Sequence, residues 1–188
     1  MKLTFQKDDL LNGINIVLKA VPSKTTMPIL ECILIDASDN QIKLTANDME
    51  LGIETKVEGS ILSRGKIALD AKLLSEIIRK LSGGESDITI ESDEKYNTTI
   101  TCDNSVFHIQ GKNGDEFSYL PFIEKDHFIC LSQFTLKEVI RQTLFSISVN
   151  DSNKMMTGEL FQVTDNELKV VSLDGHRMSI RKIELKDH

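Results

Sequence analysis

The chain contains 188 residues, of which 40% are hydrophobic and 27% are charged, as expected for a folded protein of one or two domains. The first residues lack the long apolar core of a signal peptide, so none is expected, and no apolar run reaches the length of a membrane-spanning helix. The net charge of −7 argues by itself against a nucleic-acid partner, although binding depends on where the positive charges lie.

The chain begins with a strand, a helix and three further strands. Residues 1–6 are predicted as a strand and residues 8–20 as an amphipathic helix, in which Gly13 is a weak point. Pro28 closes the next loop at the entrance of a strand. Alternating apolar residues then predict a meander of hairpins, with strands at residues 29–37, 42–46 and 51–59.

The same order of elements returns in residues 66–110. A short strand leads to Asp70, which stands at the N-cap of a helix that runs to Leu81. The apolar residues of this helix predict one buried face, formed by Leu73, Leu74, Ile77, Ile78 and Leu81. The strands that follow are predicted at residues 88–90, 96–102 and 106–110. Residues 111–126 follow no period and, with Pro121, predict a linker.

A third copy of the pattern follows the linker. Phe128–Leu131 is predicted as a strand, and Ser132 as the N-cap of a helix that reaches about Ile147. Residues 149–154 form a polar loop. The strands after it are predicted at residues 155–164, 167–173 and 178–185.

These copies repeat at a fixed spacing. The helices match at 63 residues, and the strands match at 126 residues, as Ile42 does with Leu168. A generic α+β domain with coincidental spacing is the alternative. The repeat instead predicts an α+β fold of β-α-β-β-β units, two per domain. We therefore expect residues 1–125 to form one domain and residues 126–188 the first half of the next, in a chain that is part of a longer protein. The matched helix positions are Leu10, Leu73 and Leu136; Ile14, Ile77 and Ile140; and Leu18, Leu81 and Leu144.

No motif for catalysis, for phosphate binding or for a metal is present, so no cofactor is expected. The segment Asp174–Arg177 contains Asp, His and Arg, which could form the acid/base site of a hydrolase. Asp-Gly between two strands is more typical of a tight turn, which Leu173 and Met178 would flank as a binding surface. Three cysteines without CxxC spacing predict a reduced cytoplasmic protein, with Cys32 and Cys130 packed in strands.

The charges are not spread evenly over the predicted elements. The second and third helices each carry one more basic than acidic residue, whereas the acidic excess lies in the rest of the chain. Each helix alone is also compatible with an ordinary solvated face. Together they indicate a cationic helix layer and an acidic sheet layer, and a cationic layer attracts duplex DNA without reading its sequence.

Several stretches match a known family in order along the whole chain. They are Met1–Phe5, Met27–Leu30, Leu44–Leu51, Asp115–Phe117 with Leu120-Pro121, and Ser172–Met178. In these stretches the sequence resembles the bacterial DNA polymerase III β subunits, the sliding clamps.

The resemblance implies a DNA clamp fold with three similar domains of two repeat units each, with the helices on one face of antiparallel sheets. Two subunits would form a head-to-tail homodimer, a ring around double-stranded DNA with the helices inward. Such a protein is a processivity factor in DNA replication and not an enzyme. It would tether the replicative polymerase, the clamp loader and other proteins with clamp-binding motifs, in the cytoplasm at the nucleoid and without a membrane.

The resemblance also assigns expected roles to individual positions. The DNA-binding residues would be Lys24, Lys72, Arg79, Lys137, Arg141, Asn150 and Lys154. The pocket for partner peptides would contain Met156, Leu173, Gly175, His176, Arg177 and Met178. The subunit interface would contain Ile77, Phe107 and Ile109, which could equally be ordinary core residues. Leu173 and Met156 depart from the residues usual in the family, which leaves the motif preference of the pocket open.

Two alternatives to the sliding clamp remain at this stage. One is a hydrolase that uses Asp174, His176 and Arg177. The other is an adaptor that binds peptides without contacting DNA.

Overall fold

A computed structural model describes residues 1–81, 86–118, 128–149, 153–164 and 166–185. The chain separates into two compact units, Met1–Phe122 and Ile123–His188, which we call the first and the second unit. None of the helices in the described ranges is long and apolar enough to cross a membrane.

The first unit contains two β-α-β-β-β repeats. The elements of the first repeat are β1 (Lys2–Phe5), α1 (Lys7–Val17), β2 (Cys32–Asp36), β3 (Ile42–Asn47) and β4 (Gly52–Val57), followed by a short strand β5 (Ser60–Ser63). Those of the second repeat are β6 (Lys66–Asp70), α2 (Ala71–Lys80), β7 (Ile88–Ser92), β8 (Asn97–Cys102) and β9 (Ser105–Gln110), followed by β10 (Lys112–Asn113).

These strands form two antiparallel sheets, and the first strand of each repeat lies in the sheet of the other repeat. The sheet orders are β5-β1-β7-β8-β9 and β10-β6-β2-β3-β4. The aliphatic side chains of α1, α2 and the facing sides of both sheets share one core. On the opposite side of β2 and β6, a small cluster packs against Phe117. The helices therefore cover one face of the sheets, as the sequence predicts.

The N-cap Asp70 explains where α2 starts. The position of each residue around the helix explains which side chains are buried. The Asp70 carboxylate accepts a hydrogen bond from the Leu73 amide at 2.7 Å, which satisfies a backbone donor of the first turn. Leu74 and Ile78 are fully buried, but Leu73 is 44% exposed, so the prediction that it is buried is wrong. Residues 74, 78 and 81 share the face that meets the core, whereas Leu73 lies about 100° away from it.

The helix spacing of 63 residues also needs a correction. The N-caps of the three helices are Gln6, Asp70 and Ser132, which are 64 and then 62 residues apart. The position equivalent to Leu10 is consequently Leu74 and not Leu73, whereas Leu136 remains equivalent to Leu10.

Gly13 is not a weak point of α1 but a point of close packing. A Cβ atom added there would overlap the side chain of Val57 on β4 and approach Leu44 to 3.2 Å. The missing side chain lets α1 lie directly on the sheet, which offsets the low helix propensity of glycine.

The second unit contains one helix and one meander. Its elements are α3 (Gln133–Thr143), β11 (Leu160–Thr164), β12 (Glu167–Leu173) and β13 (Met178–Glu184), with the sheet order β11-β12-β13. The Ser132 hydroxyl accepts a hydrogen bond from the Thr135 amide at 3.0 Å, which confirms the predicted N-cap. Val139, Leu168 and Val170 form its core.

Two strand predictions in the second unit are wrong. The described residues of Phe128–Leu131 form no strand, although Ile129 and Leu131 pack against the core. In the first unit, the equivalent strands pair with the meander of the other repeat, and the described part of the second unit contains only one meander. Residues Lys154–Thr157 form a 3₁₀ turn, so the next strand starts at Leu160 and not at residue 155.

One of the two cysteines predicted to be packed in strands is packed, and the other is not: Cys32 is buried in β2, whereas Cys130 is exposed. Cys32 and Cys102 are buried, and burial raises the pKa of both thiols above the ordinary value. Cys130 is exposed because the segment around it is not part of a sheet, so it is not a packed thiol.

Candidate functional site

The two helices of the first unit pack side by side and present cations to solvent. Arg79 Nη2 donates to Asn15 Oδ1 at 2.9 Å, and Lys7 Nζ donates to the carbonyl oxygen of Leu81. Lys72 and Arg79 are exposed, so both can reach an anionic partner. Lys24 is exposed in the loop after α1.

The equivalent helix of the second unit carries one exposed lysine and one arginine that is partly neutralised. Lys137 and Arg141 both lie on the solvent side of α3. Arg141 donates to both carboxylate oxygens of Glu138, at 3.0 and 2.8 Å. This bonding lowers the pKa of Glu138 and raises that of Arg141. Glu138 therefore competes with phosphate for the Arg141 guanidinium group, which the sequence analysis did not recognise.

The remaining residues predicted to contact DNA lie in a loop of which only part is described. Lys154 is exposed at the start of the 3₁₀ turn Lys154–Thr157. Asn150 lies outside the described residues.

The segment around Asp174 is a tight turn held by its own aspartate. Asp174 Oδ1 accepts hydrogen bonds from the amides of His176 and Arg177, both at 3.0 Å, and Oδ2 accepts one from Arg177 Nε at 2.9 Å. The hydrogen bond from the His176 amide is the main cause that lowers the pKa of Asp174. Gly175, at φ +84°, occupies the left-handed region that favours glycine. The Asp174 carboxylate thus accepts hydrogen bonds from the amides of the turn and from the Arg177 side chain, which argues against a catalytic pair of Asp174 and the His176 ring.

Gly175, His176 and Arg177 of the predicted peptide-binding residues form this turn, Leu173 and Met178 flank it, and Met156 lies in the 3₁₀ turn Lys154–Thr157. Met178 is 59% exposed, whereas Leu173 and Met156 are half-buried. The Arg177 guanidinium lies over the ring of Phe145, with 5.9 Å between its carbon and the ring centroid. Phe145, which is 61% exposed, extends this apolar surface.

Sequence reasoning did not assign Phe145 a role, and in the structure it lies in the 3₁₀ turn Leu144–Ser146 that follows α3. Ser146 Oγ and Ser179 Oγ are 2.6 Å apart, which holds the end of the helix against β13. The hydroxyl of Thr143 donates to Glu159 Oε1 at 2.7 Å. The sequence signal available for this surface was Phe145 followed by the small polar Ser146 at the end of a helix, and that signal is weak.

The residues predicted for a subunit interface lie together in the first unit. Ile77, Phe107 and Ile109 line a shallow surface depression of about 300 Å³ with Leu73. Ile77 is only 6% exposed and belongs to the core, whereas Phe107 and Ile109 are half-buried at its margin. Leu73, which the sequence analysis placed in the core, is therefore part of an apolar surface.

No group of three or more His, Cys, Asp or Glu side chains among the described residues could hold a metal ion. The candidate sites are exposed cations on helices and two apolar surfaces, one around Phe107 and one around Phe145. Surfaces of these kinds are suited to binding a partner molecule.

Comparison with known proteins identifies relatives of the whole chain. Residues 1–121 match the family described as DNA polymerase III beta subunit, N-terminal domain, and residues 130–188 match its central domain. The beta sliding clamp of Bacillus subtilis is 38% identical over 193 residues, which are 98% of this chain and 50% of that protein. The clamp of Staphylococcus epidermidis is 35% identical over 195 residues, which are 100% of this chain and 51% of that protein.

A solved structure shows the same fold. The crystal structure of a protein from Eubacterium rectale, assigned as a DNA polymerase III β subunit, is 64% identical and superposes with a TM-score of 0.93. The superposition covers 100% of this chain and 51% of that one. The chain thus spans about half the length of the relatives it matches.

Proposed function

The chain belongs to the DNA polymerase III β subunit family, and on that premise we propose that it serves as part of a DNA sliding clamp. The complete protein would encircle duplex DNA as a ring and act as a processivity factor that tethers the replicative polymerase. It would do so as an accessory subunit without catalytic activity of its own, in the cytoplasm at the nucleoid.

The observation that carries this proposal is the position of the basic side chains on the repeated unit. Lys72 and Arg79 on α2, and Lys137 and Arg141 on α3, are exposed on helices that sit on one face of the sheets. A chain with a net charge of −7 can still attract a duplex where exposed cations lie on the helix of each unit. We assign DNA contacts to these four residues and to Lys24, Asn150 and Lys154.

The turn at Asp174 supports a second role, as a pocket for short peptides of partner proteins. Met156, Leu173 and Met178 would supply apolar contacts, and Gly175, His176 and Arg177 would supply the rim. Phe145 extends this pocket because it stacks with Arg177. Partners would be the polymerase, the clamp loader and other proteins that carry clamp-binding motifs.

We further propose that residues 1–125 are the first clamp domain and residues 126–188 the first half of the second. The apolar depression around Ile77, Phe107 and Ile109 would meet another subunit in a head-to-tail homodimer. Its exposed Leu73 supports this assignment, since an exposed apolar patch marks an interaction site more often than an isolated apolar residue does.

Charge reversal on the helices tests the DNA-binding role. In a full-length clamp that contains this chain, Arg79→Glu combined with Arg141→Glu should shorten the residence time on circular duplex DNA, because both changes place anions beside phosphates. The matched control is Arg64→Glu, which reverses an exposed arginine between β5 and β6 that donates to Asn40. Equal residence times for the double variant and for the control would contradict the proposal.

A salt titration separates the clamp from the adaptor that binds only peptides. DNA affinity should fall steeply as salt rises, whereas peptide affinity should change much less. A wild-type protein without salt-dependent DNA binding would favour the adaptor.

A further inference from the structure

Two helices of this chain carry the same glutamate–arginine pair, three positions apart. Glu76 and Arg79 lie on α2, and Glu138 and Arg141 lie on α3, at the same distances from their N-caps. Oppositely charged side chains at this spacing are neighbours on a helix surface and can bond each other. Spacing alone therefore predicts that the two arginines have the same partner.

The two arginines in fact bond different partners. Arg141 donates to both carboxylate oxygens of Glu138, at 3.0 and 2.8 Å. In the described part of the chain Arg79 makes no bond to Glu76, and its Nη2 donates instead to Oδ1 of Asn15 on α1, at 2.9 Å. A two-fold bond to a carboxylate offsets the charge of a guanidinium group, whereas one bond to a neutral amide oxygen does not. Arg79 thus keeps its full charge.

The side chain of Glu76 borders a different surface of α2. It lines the depression beside β9, together with Leu73, Lys80 and Phe107, and Arg79 is not among the lining residues of that depression. The Arg79 guanidinium lies instead at the boundary between α1 and α2, where the Asn15 amide holds it. The two charges of the pair are therefore kept apart although their spacing would allow a bond.

The backbones that carry Asn15 and Arg79 are fixed by the core beneath them. The preceding residues, Ile14 and Ile78, are both fully buried in the core that α1 and α2 share. Lys7 Nζ also joins the two helices, since it donates to the carbonyl oxygen of Arg79 at 3.5 Å. Asn15 is thus a short side chain on a rigid support, which is what positioning a long and flexible arginine requires.

We propose that Asn15 is a positioning residue that keeps Arg79 available to a phosphate group of duplex DNA. The proposal rests on the DNA-binding role of Arg79 proposed above, and it adds a residue that acts through Arg79. Without the Asn15 amide oxygen, the Arg79 guanidinium turns to Glu76, as Arg141 turns to Glu138. The carboxylate then competes with phosphate for the same N–H donors.

Equilibrium binding to a short linear duplex at low salt tests the proposal, because a linear duplex reports contacts without topological retention. The protein is a full-length clamp that contains this chain, and fluorescence anisotropy measures its affinity. Arg79→Ala should weaken binding about two- to fivefold, the range for one exposed ion pair. It should also lower the slope of log affinity against log salt by about 0.9. Asn15→Ala should reproduce most of both effects, although it removes no charge.

Asn12→Ala is the matched control for Asn15→Ala. Asn12 is an exposed asparagine on the same helix, and none of the hydrogen bonds among the described residues uses its side chain. Both substitutions replace asparagine by a better helix former, so neither should unfold α1. Asn12→Ala should leave the affinity for the duplex and its salt dependence unchanged.

A double-mutant cycle separates positioning from a direct contact between Asn15 and DNA. Glu76→Gln added to Asn15→Ala should restore the affinity, because the competing carboxylate is gone. The same Glu76→Gln change in the wild-type background should strengthen binding less, since Glu76 does not bond Arg79 there. Asn15→Ala added to Arg79→Ala should cause no further loss.

The outcomes distinguish this proposal from the one on which it rests. An unchanged affinity and salt slope for Arg79→Ala would remove the DNA contact of Arg79, and the positioning role with it. A loss for Arg79→Ala without a loss for Asn15→Ala would overturn the positioning role alone. So would equal losses for Asn15→Ala and Asn12→Ala, or a loss for Asn15→Ala that Glu76→Gln does not restore.

Discussion

Several residues that are buried in the first unit have exposed equivalents in the second. Leu10 is fully buried whereas Leu136 is 38% exposed, and Ala37 is fully buried whereas Val163 is 47% exposed. The local structure is nevertheless the same, with a capped helix followed by a three-stranded meander. A single β-α-β-β-β repeat therefore sets its own helix and hairpins, but the burial of its apolar face depends on a partner repeat.

The largest difference between the two units should appear when the equivalent helix leucines are truncated. Leu10→Ala should lower the free energy of unfolding of the first unit by about 2–5 kcal/mol, because it leaves a cavity in a closed core. Leu136→Ala should cost the second unit about 1 kcal/mol or less, because its side chain is already partly hydrated. Hydrogen exchange measured by mass spectrometry reports the stability of each unit separately. Equal losses of unfolding free energy for Leu10→Ala and Leu136→Ala would contradict this difference between the two units, since they would mean that Leu136 is also fully buried.

The two units should also share a feature whose effect is smaller, a hairpin turn in which an aspartate has a lowered pKa. Asp48 accepts hydrogen bonds from the amides of Glu50 and Leu51, at 2.9 and 2.6 Å, as Asp174 does from the equivalent amides of its turn. These backbone hydrogen bonds lower the pKa of both carboxyl groups, and the Leu51 amide is the main cause for Asp48. The turn is thus a local device that needs no partner repeat.

A nuclear magnetic resonance titration of the two carboxyl groups should place both pKa values below the usual value of about 3.9. Because the folded-state pKa is lowered, each turn contributes stability that is fully present above the unfolded-state pKa. This contribution is lost as the pH falls through the folded-state value. Arg177→Ala should raise the pKa of Asp174 but leave it below the usual value, since the His176 amide is the larger cause. An ordinary pKa in that variant would show that the ion pair dominates.

The features that sequence reasoning predicted correctly are those that local chemistry determines. Asp70 and Ser132 form N-caps through their own side chains, and the hairpins follow alternating apolar residues. The repeat and the family motifs were also sufficient to recognise the clamp fold, which the comparisons confirm.

The features that it missed depend on contacts distant in the sequence. Residues 128–131 have the pattern of a strand, but a strand needs a neighbouring edge, and the equivalent strands find theirs in the other repeat. Leu73 has the apolar character of a core residue, yet it lies beside Phe107 on the surface. The partial neutralisation of Arg141 by Glu138 depends on rotamers that spacing alone does not determine.

The central functional claim is that repeats of this unit surround a duplex instead of gripping it. The most direct measurement is the retention of a full-length clamp containing this chain on closed circular duplex DNA, before and after the circle is cut once. The account predicts stable retention on the closed circle and rapid loss from the cut ends. Equal retention on closed and cut DNA would contradict it, because a protein held by contacts alone has no reason to distinguish the two.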